Sequence, residues 1–192
     1  MARQVYLYDP PERFVAGTVG EPGQRTFFLQ ARGQGRLTSV ALEKQQVQLL
    51  AEQVERLLEE VKRVSGSAAV AEAEAEAATG EVDLAPLELP IEEDFRVATL
   101  ALGWDPRIDR VVIVAQASAE GEEAAAPAIE DDDETDADGP DVLRVRLTAA
   151  MAREFAGRAQ AVVAAGRPPC PFCALPLDPA GHVCPRQNGY RR

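Results

Sequence analysis

The sequence predicts an α+β fold: a mostly antiparallel sheet from two β-β-β-α units, two long helices on one of its faces, and a small C-terminal zinc knuckle. Three observations predict it. Apolar and polar residues alternate through residues 3–44 and again from Phe95 to Leu147, the period of half-buried strands. Each alternating stretch runs into a segment whose apolar residues recur at three-and-four spacing, the stripe of a helix packed on a sheet. All three cysteines and the single histidine fall between Cys170 and Cys184.

A chain of 192 residues with 46% hydrophobic content is long enough to bury one good core with a small appendage. The reading divides it into a first unit over 1–66, an acidic linker over 67–94, a second unit over 95–166 with a mobile acidic insertion at 119–140, and a zinc-binding tail over 167–192. No apolar run has membrane-helix length, and Met1-Ala-Arg-Gln-Val5 enters strand-like alternation rather than a signal peptide, so the expected location is cytoplasmic. An odd number of cysteines, all near one end, speaks against a secreted disulfide framework.

The net charge of −12 is unevenly distributed. Ten acids lie between Glu120 and Asp138 and nine between Glu72 and Asp94, with no Lys or Arg among them, so the remainder of the chain carries +7. An acidic whole-chain balance is therefore weak evidence against an anionic partner.

Strands are expected near Gln4–Tyr8, Arg13–Gly20, Arg25–Arg32 and Arg36–Glu43, with Glu21-Pro-Gly-Gln24 as a type II turn. A helix follows, its stripe formed by Val47, Leu50, Ala51, Val54, Leu57, Leu58 and Val61, and ends at Ser65-Gly-Ser67. Core packing against the sheet is the favoured reading of that stripe; an exposed coiled-coil seam competes with it. Residues 68–92 read as a linker with no apolar face to bury. The second unit places strands at Arg96–Gly103, Arg110–Ala117 and Val142–Leu147, then a helix from Thr148 to about Ala165 with Met151, Phe155, Ala159 and Val162 on its stripe. Phe14–Gly20 matches Arg96–Gly103 in type, and Val40–Leu42 matches Val145–Leu147, which suggests an internal repeat; coincidence between two generic patterns is the alternative.

The cluster reads Cys170-Pro-Phe-Cys173, eight residues, then His182-Val-Cys184. Three thiolates and one imidazole complete a zinc tetrahedron and leave no position for water or substrate, so the metal is expected to be structural. A redox role for Cys170-Pro-x-Cys173 is the rival. It needs a strand before the motif and a helix opening at it, whereas prolines flank it on both sides. Beyond the cluster, Arg186, Arg191 and Arg192 make a basic tail that could touch an anionic partner, as could Arg144 and Arg146, which alternate with Leu143 and Val145 on the face away from the core.

With the only histidine committed to metal, no Ser-His-Asp or Cys-His arrangement is available. No phosphate-cradling loop precedes a helix, and the calcium-loop-like Asp136-Ala-Asp-Gly139 lacks its closing acid, which would fall on Val145.

The opening Val5-Tyr-Leu-Tyr-Asp-Pro-Pro-Glu-Arg-Phe-Val-Ala-Gly17 and the closing Cys170-Pro-Phe-Cys173, Pro176-Leu-Asp-Pro179, Gly181-His-Val-Cys-Pro-Arg186 and Asn188-Gly-Tyr-Arg-Arg192 resemble an uncharacterised actinobacterial family. That family is known only as domain of unknown function number three thousand and ninety, and it has no assigned activity. The resemblance covers the chain apart from its acidic segments. It implies a gene neighbourhood with a phosphoglycerate-mutase-like phosphatase and a kinase-like-fold protein, hence a shared pathway. It also implies Gly in the knuckle where this chain has Ala174.

These readings lead to a cytoplasmic, zinc-stabilised binding or adaptor protein that engages a protein partner; no catalytic constellation is found, which favours a non-enzyme and leaves the question of activity open. The alternative is an enzyme or accessory subunit acting on a small phosphorylated or nucleotide ligand, which would require Arg25, Arg32, Arg36, Arg144 or Arg146 to converge on one pocket. Nucleic-acid binding through the basic tail is a third reading.

Overall fold

Local turn chemistry sets most of the strand pairing. The computed structural model describes residues 3–77, 83–118, 139–166, 170–175, 177 and 182–186, with the side chains of 69, 76 and 77 left aside. Strands β1 (Val5–Tyr8), β2 (Arg13–Val19), β3 (Thr26–Gly33) and β4 (Arg36–Leu42) precede helices α1 (Lys44–Ser65) and α2 (Ala68–Ala77). Strands β5 (Phe95–Asp105), β6 (Arg110–Ala117) and β7 (Val142–Leu147) precede α3 (Ala149–Ala164). At the first turn Gly23 takes φ 104° and the Gln24 N–H donates to the Glu21 carbonyl at 2.9 Å. At the second, Gln34 and Gly35 both take positive φ (53° and 72°), as a two-residue turn between twisted strands requires.

The strand order is β1-β7-β6-β5-β4-β3-β2, and the sheet is mixed rather than mostly antiparallel. Its two parallel pairs are β4 with β5 and β1 with β7. A three-stranded meander begins and ends in the same direction. The last strand of the first meander, β4, lies parallel to the first strand of the next, β5, and a parallel pair needs a long crossover rather than a hairpin. Here α1, α2 and residues 83–94 supply that crossover. The β4–β5 seam is only two residue pairs long, Val40 with Phe95 and Ala41 with Arg96.

Strands β1 and β2 stand at opposite ends of this order, yet only four residues separate them. The chain from Tyr8 to Arg13 reaches at most about 19 Å, whereas six strand spacings in a flat sheet need about 29 Å. The sheet must therefore curl until its ends approach. Contacts across the gap agree: the Tyr8 and Thr38 hydroxyls hydrogen-bond at 2.8 Å, the Arg36 guanidinium lies 5.5 Å from the centre of the Tyr8 ring, and Arg36 donates to the Leu7 carbonyl.

The helices fill one face of the curled sheet. Helix α1 opens with a capping box in which Glu43 and Gln46 exchange side-chain-to-backbone bonds, and closes at Gly66 with φ 61°. It buries Val47, Leu50, Ala51, Val54, Leu58 and Val61 in a cluster that includes Leu29, Val40, Ile113 and Val145. Helix α3 is capped by Thr148, and its buried face is Ala149, Ala152, Phe155, Ala156 and Ala159. Met151 and Val162, expected on that stripe, are only partly buried. The small residues let α3 lie close to β2, where Phe155 stacks on Phe14 with ring centres 4.8 Å apart.

Residues 68–92 differ from the expected linker. Ala68–Ala77 forms α2, and Val70 and Ala73 are buried against the main core. From Asp83 onward the chain passes to the opposite face of the sheet, where Leu87 packs with Val15, Phe28 and Ala41. Arg158, only 4% exposed, fastens this strap by donating to the Ala16 carbonyl (2.7 Å), the Ala85 carbonyl (2.7 Å) and the Asp83 carbonyl. Arg13 bonds the Asp83 carboxylate at 2.8 Å, and Gln30 both accepts from the Glu88 N–H and donates to its carbonyl. The acidic insertion expected at 119–140 falls, over 119–138, outside the described residues. No helix among the described residues is long and apolar enough to cross a membrane.

Two predictions follow from the strap. The Arg13 guanidinium holds the Asp83 carboxyl below its ordinary value, against the effect of burial and with help from the Ala85 N–H and Arg158. A depressed folded-state value means stability that is present at neutral pH and is lost as pH falls through that value. Asp83→Asn should therefore cost about 1–2 kcal/mol in urea unfolding at neutral pH, and the gap to wild type should close in strong acid. A second variant probes packing: a Cβ on Gly17 would lie 2.5 Å from Leu87 Cγ. Gly17→Ala should cost about 1–3 kcal/mol, and adding Leu87→Ala should recover part of that loss rather than add to it.

Candidate metal centre

Cys170, Cys173, His182 and Cys184 bring one ligand atom each to a common point, with all four atoms within 4.8 Å of one another. Backbone turns make the convergence possible. The Cys170 N–H donates to the Leu175 carbonyl and the Ala174 N–H to the Cys170 carbonyl, both at 2.8 Å, which folds 170–175 back on itself. Ala174 closes that turn in the left-handed region, φ 60°, a conformation that favours glycine.

The spacings suit a tetrahedral ion. Sulfur–metal bonds of about 2.3 Å and nitrogen–metal bonds of about 2.0 Å place ligand atoms about 3.5–3.8 Å apart. Cys170 Sγ and Cys184 Sγ are 3.9 Å apart, and Cys173 Sγ lies 3.2 Å from His182 Nε2. Neither pair is a disulfide, and all three cysteines are free. Cys170 and Cys184 are buried; Cys173 and His182 are half-buried. The group could hold a metal ion, and its four protein donors fill a tetrahedron. Burial alone would push the Cys170 thiol up, but backbone N–H groups of Cys173 and Phe172 turned onto its sulfur bring it below its ordinary value. Cys173 goes the other way, raised chiefly by burial. Residues 171–173 form a turn, so no helix opens at Cys173 as a redox motif would require.

The arginines expected to contact an anion or a partner do not converge. Arg144 is buried on the face of β7 opposite the helices, and Arg146 pairs with Asp9 at 3.2 Å. Arg32 pairs with Glu12 and Glu88, Arg36 turns to β1, and Arg25 donates to the Ala165 carbonyl at the end of α3. Arg25 and Arg32 line different cavities. Arg186 is exposed just beyond the metal ligands, while Arg191 and Arg192 lie outside the described residues. Two features escaped the sequence reading: the burial of Arg158, and a recess shared by Arg25 and Lys44. Nothing in the spacing of either signals it.

Around the ligands three apolar side chains face outward: Phe172 (56% exposed), Leu175 (51%) and Val183 (80%).

Over residues 6–184 the chain matches the family described as Protein of unknown function (DUF3090). No curated protein and no solved structure matches it.

The strained residue of the turn offers a direct check on the centre. Ala174→Gly should relieve about 0.5–1 kcal/mol, seen as a metal affinity raised about two- to fivefold in chelator competition. An unchanged affinity would mean that the turn is not part of the metal-bound state.

Proposed function

The chain belongs to the DUF3090 family of proteins of unknown function, and since membership carries no activity with it, we propose one from the geometry. The protein is a cytoplasmic binding or adaptor protein whose C-terminal tail is organised by one structural zinc ion and docks a protein partner. The observation that carries this reading is the closed donor set, three sulfurs and one imidazole, ringed by exposed Phe172, Leu175 and Val183.

A tetrahedral set of thiolates and imidazole favours zinc among the common divalent ions, and with all four positions taken by protein the ion polarises no substrate. Free, closely spaced thiols suit a reducing compartment. A tail this short cannot build a core of its own, so metal binding takes the place of hydrophobic burial in ordering it. What the tail then displays is apolar: an aromatic and two aliphatic side chains whose exposure in one small segment is the pattern of an interaction surface. Exposed Arg186 beside them adds a cation for the acidic rim of a partner. The sheet-face arginines give less support to partner binding, because Arg144 is buried and Arg146 already holds Asp9. The enzyme alternative loses the single arginine-lined pocket it needs, and nucleic-acid binding rests on Arg186 alone among the described residues.

The test uses the full chain purified from its host at low and high salt. One zinc per chain is expected, lost in Cys173→Ser. A stoichiometric protein partner should be recovered with wild type and lost with Phe172→Ala/Val183→Ala, a variant that keeps its zinc. Partner-free protein, or turnover of a phosphorylated metabolite abolished by Arg144→Ala, would sink the proposal.

A further inference from the structure

A cavity of about 250 Å³ lies between the β2–β3 turn, the first residue of α1 and the end of α3. Its charged residues are Arg25 and Lys44, and its apolar walls are Phe27, Val162 and Val163. We propose that it binds a small organic anion, with a phosphate or carboxylate head held between Arg25 and Lys44 and an apolar body against Phe27 and the two valines.

Charge balance distinguishes this recess from its neighbours. The cavity lined by Arg13, Arg32 and Arg158 also contains Glu12, Asp83 and Glu154, and the one lined by Lys62, Arg63 and Arg153 contains Glu59 and Glu74. In both, carboxylates of the chain stand among the cations. No carboxylate lines the Arg25–Lys44 recess. Among the described residues neither cation is part of an ion pair; Arg25 spends one N–H on the Ala165 carbonyl at 2.7 Å, and its Nε is shielded from solvent without a partner. A guanidinium has five N–H donors in a planar fork, so most of its capacity remains for an anion. The Lys44 ammonium reaches the same place: a Cβ on Gly166 would lie 3.5 Å from Lys44 Nζ.

Two cations placed side by side repel each other. The carbonyl end of α3 offsets part of that repulsion and accounts for Arg25 as a helix cap. It does not account for a second cation beside an apolar surface, whereas an anion with a hydrophobic body satisfies both features together. The volume lies just under the roughly 300 Å³ at which drug-sized sites begin, so the ligand is small.

The test titrates the full chain with phenyl phosphate, benzoate, inorganic phosphate and uncharged benzyl alcohol, following backbone amide shifts by NMR. Saturable binding of phenyl phosphate or benzoate is expected, with the largest shifts at Gly23, Lys44 and Gly166, and the tighter of the two identifies the head group. Inorganic phosphate, lacking the apolar body, and benzyl alcohol, lacking the charge, should each bind at least about tenfold more weakly. Lys44→Gln, at an exposed position that leaves the fold intact, should weaken binding about tenfold, and Arg25→Gln should do the same. The proposal is overturned if neither anion gives a saturable shift up to about 10 mM, if the shifts map elsewhere, or if Lys44→Gln binds as wild type does. None of these outcomes bears on the zinc-organised tail.

Discussion

The four-residue connection between β1 and β2 constrains everything else in this fold. By tying together strands at opposite ends of the sheet order, it obliges the sheet to curl, and a curled sheet has an inside. The helix face of all seven strands then contributes to one buried cluster, from Tyr8 and Phe14 through Leu29 and Val40 to Ile113 and Val145. Helices α1 and α3 fill that concavity. Because the curl brings β1 back toward β3 and β4, the Tyr8–Thr38 hydrogen bond closes the far side with a satisfied polar pair instead of exposed backbone.

A second constraint follows from the first. The β4–β5 seam is two residue pairs long, too little to hold the halves in register unaided. The strap carrying Leu87 packs on β2, β3 and β4, Arg158 of α3 ties it to the second half, and the polar groups that secure it are unusual for their burial. Arg158 is drawn below its ordinary value by burial, with Asp83 pulling the other way, at a place where an arginine is costly. What makes it tolerable is that its donors meet three backbone carbonyls and one carboxylate. Arg158 therefore acts as a joint between α3, β2 and the strap.

Much of this was legible in the sequence, and the division between what was and was not is physical. Turns are local: Pro22-Gly23 and Gly66 announce themselves in a few residues, and the strands and long helices sit where periodicity puts them, although Glu43, read as the end of a strand, caps α1 with Gln46. The metal ligands are legible for the same reason, since their spacing is their signal. Parallel pairing and curl depend on residues a hundred positions apart, and nothing in Val5–Tyr8 says that its partner is Val142–Val145. Helix α2 was hidden by composition: an Ala/Glu run resembles a linker unless one knows that Val70 and Ala73 meet α1 and α3. Arg158 was hidden by its type, because an arginine among alanines reads as the solvent side of a helix until the strap is in place.

The two ends of the chain are stabilised by different physics, and this bears on what each can do. Residues 5–164 hold a continuous apolar core, so that region has hydrophobic burial to draw on. Residues 170–186 have four converging ligand atoms and apolar side chains turned outward. Among the described residues no hydrogen bond or ion pair joins the two regions. The four ligand atoms could hold a metal ion, and such an ion would order this segment where apolar burial does not.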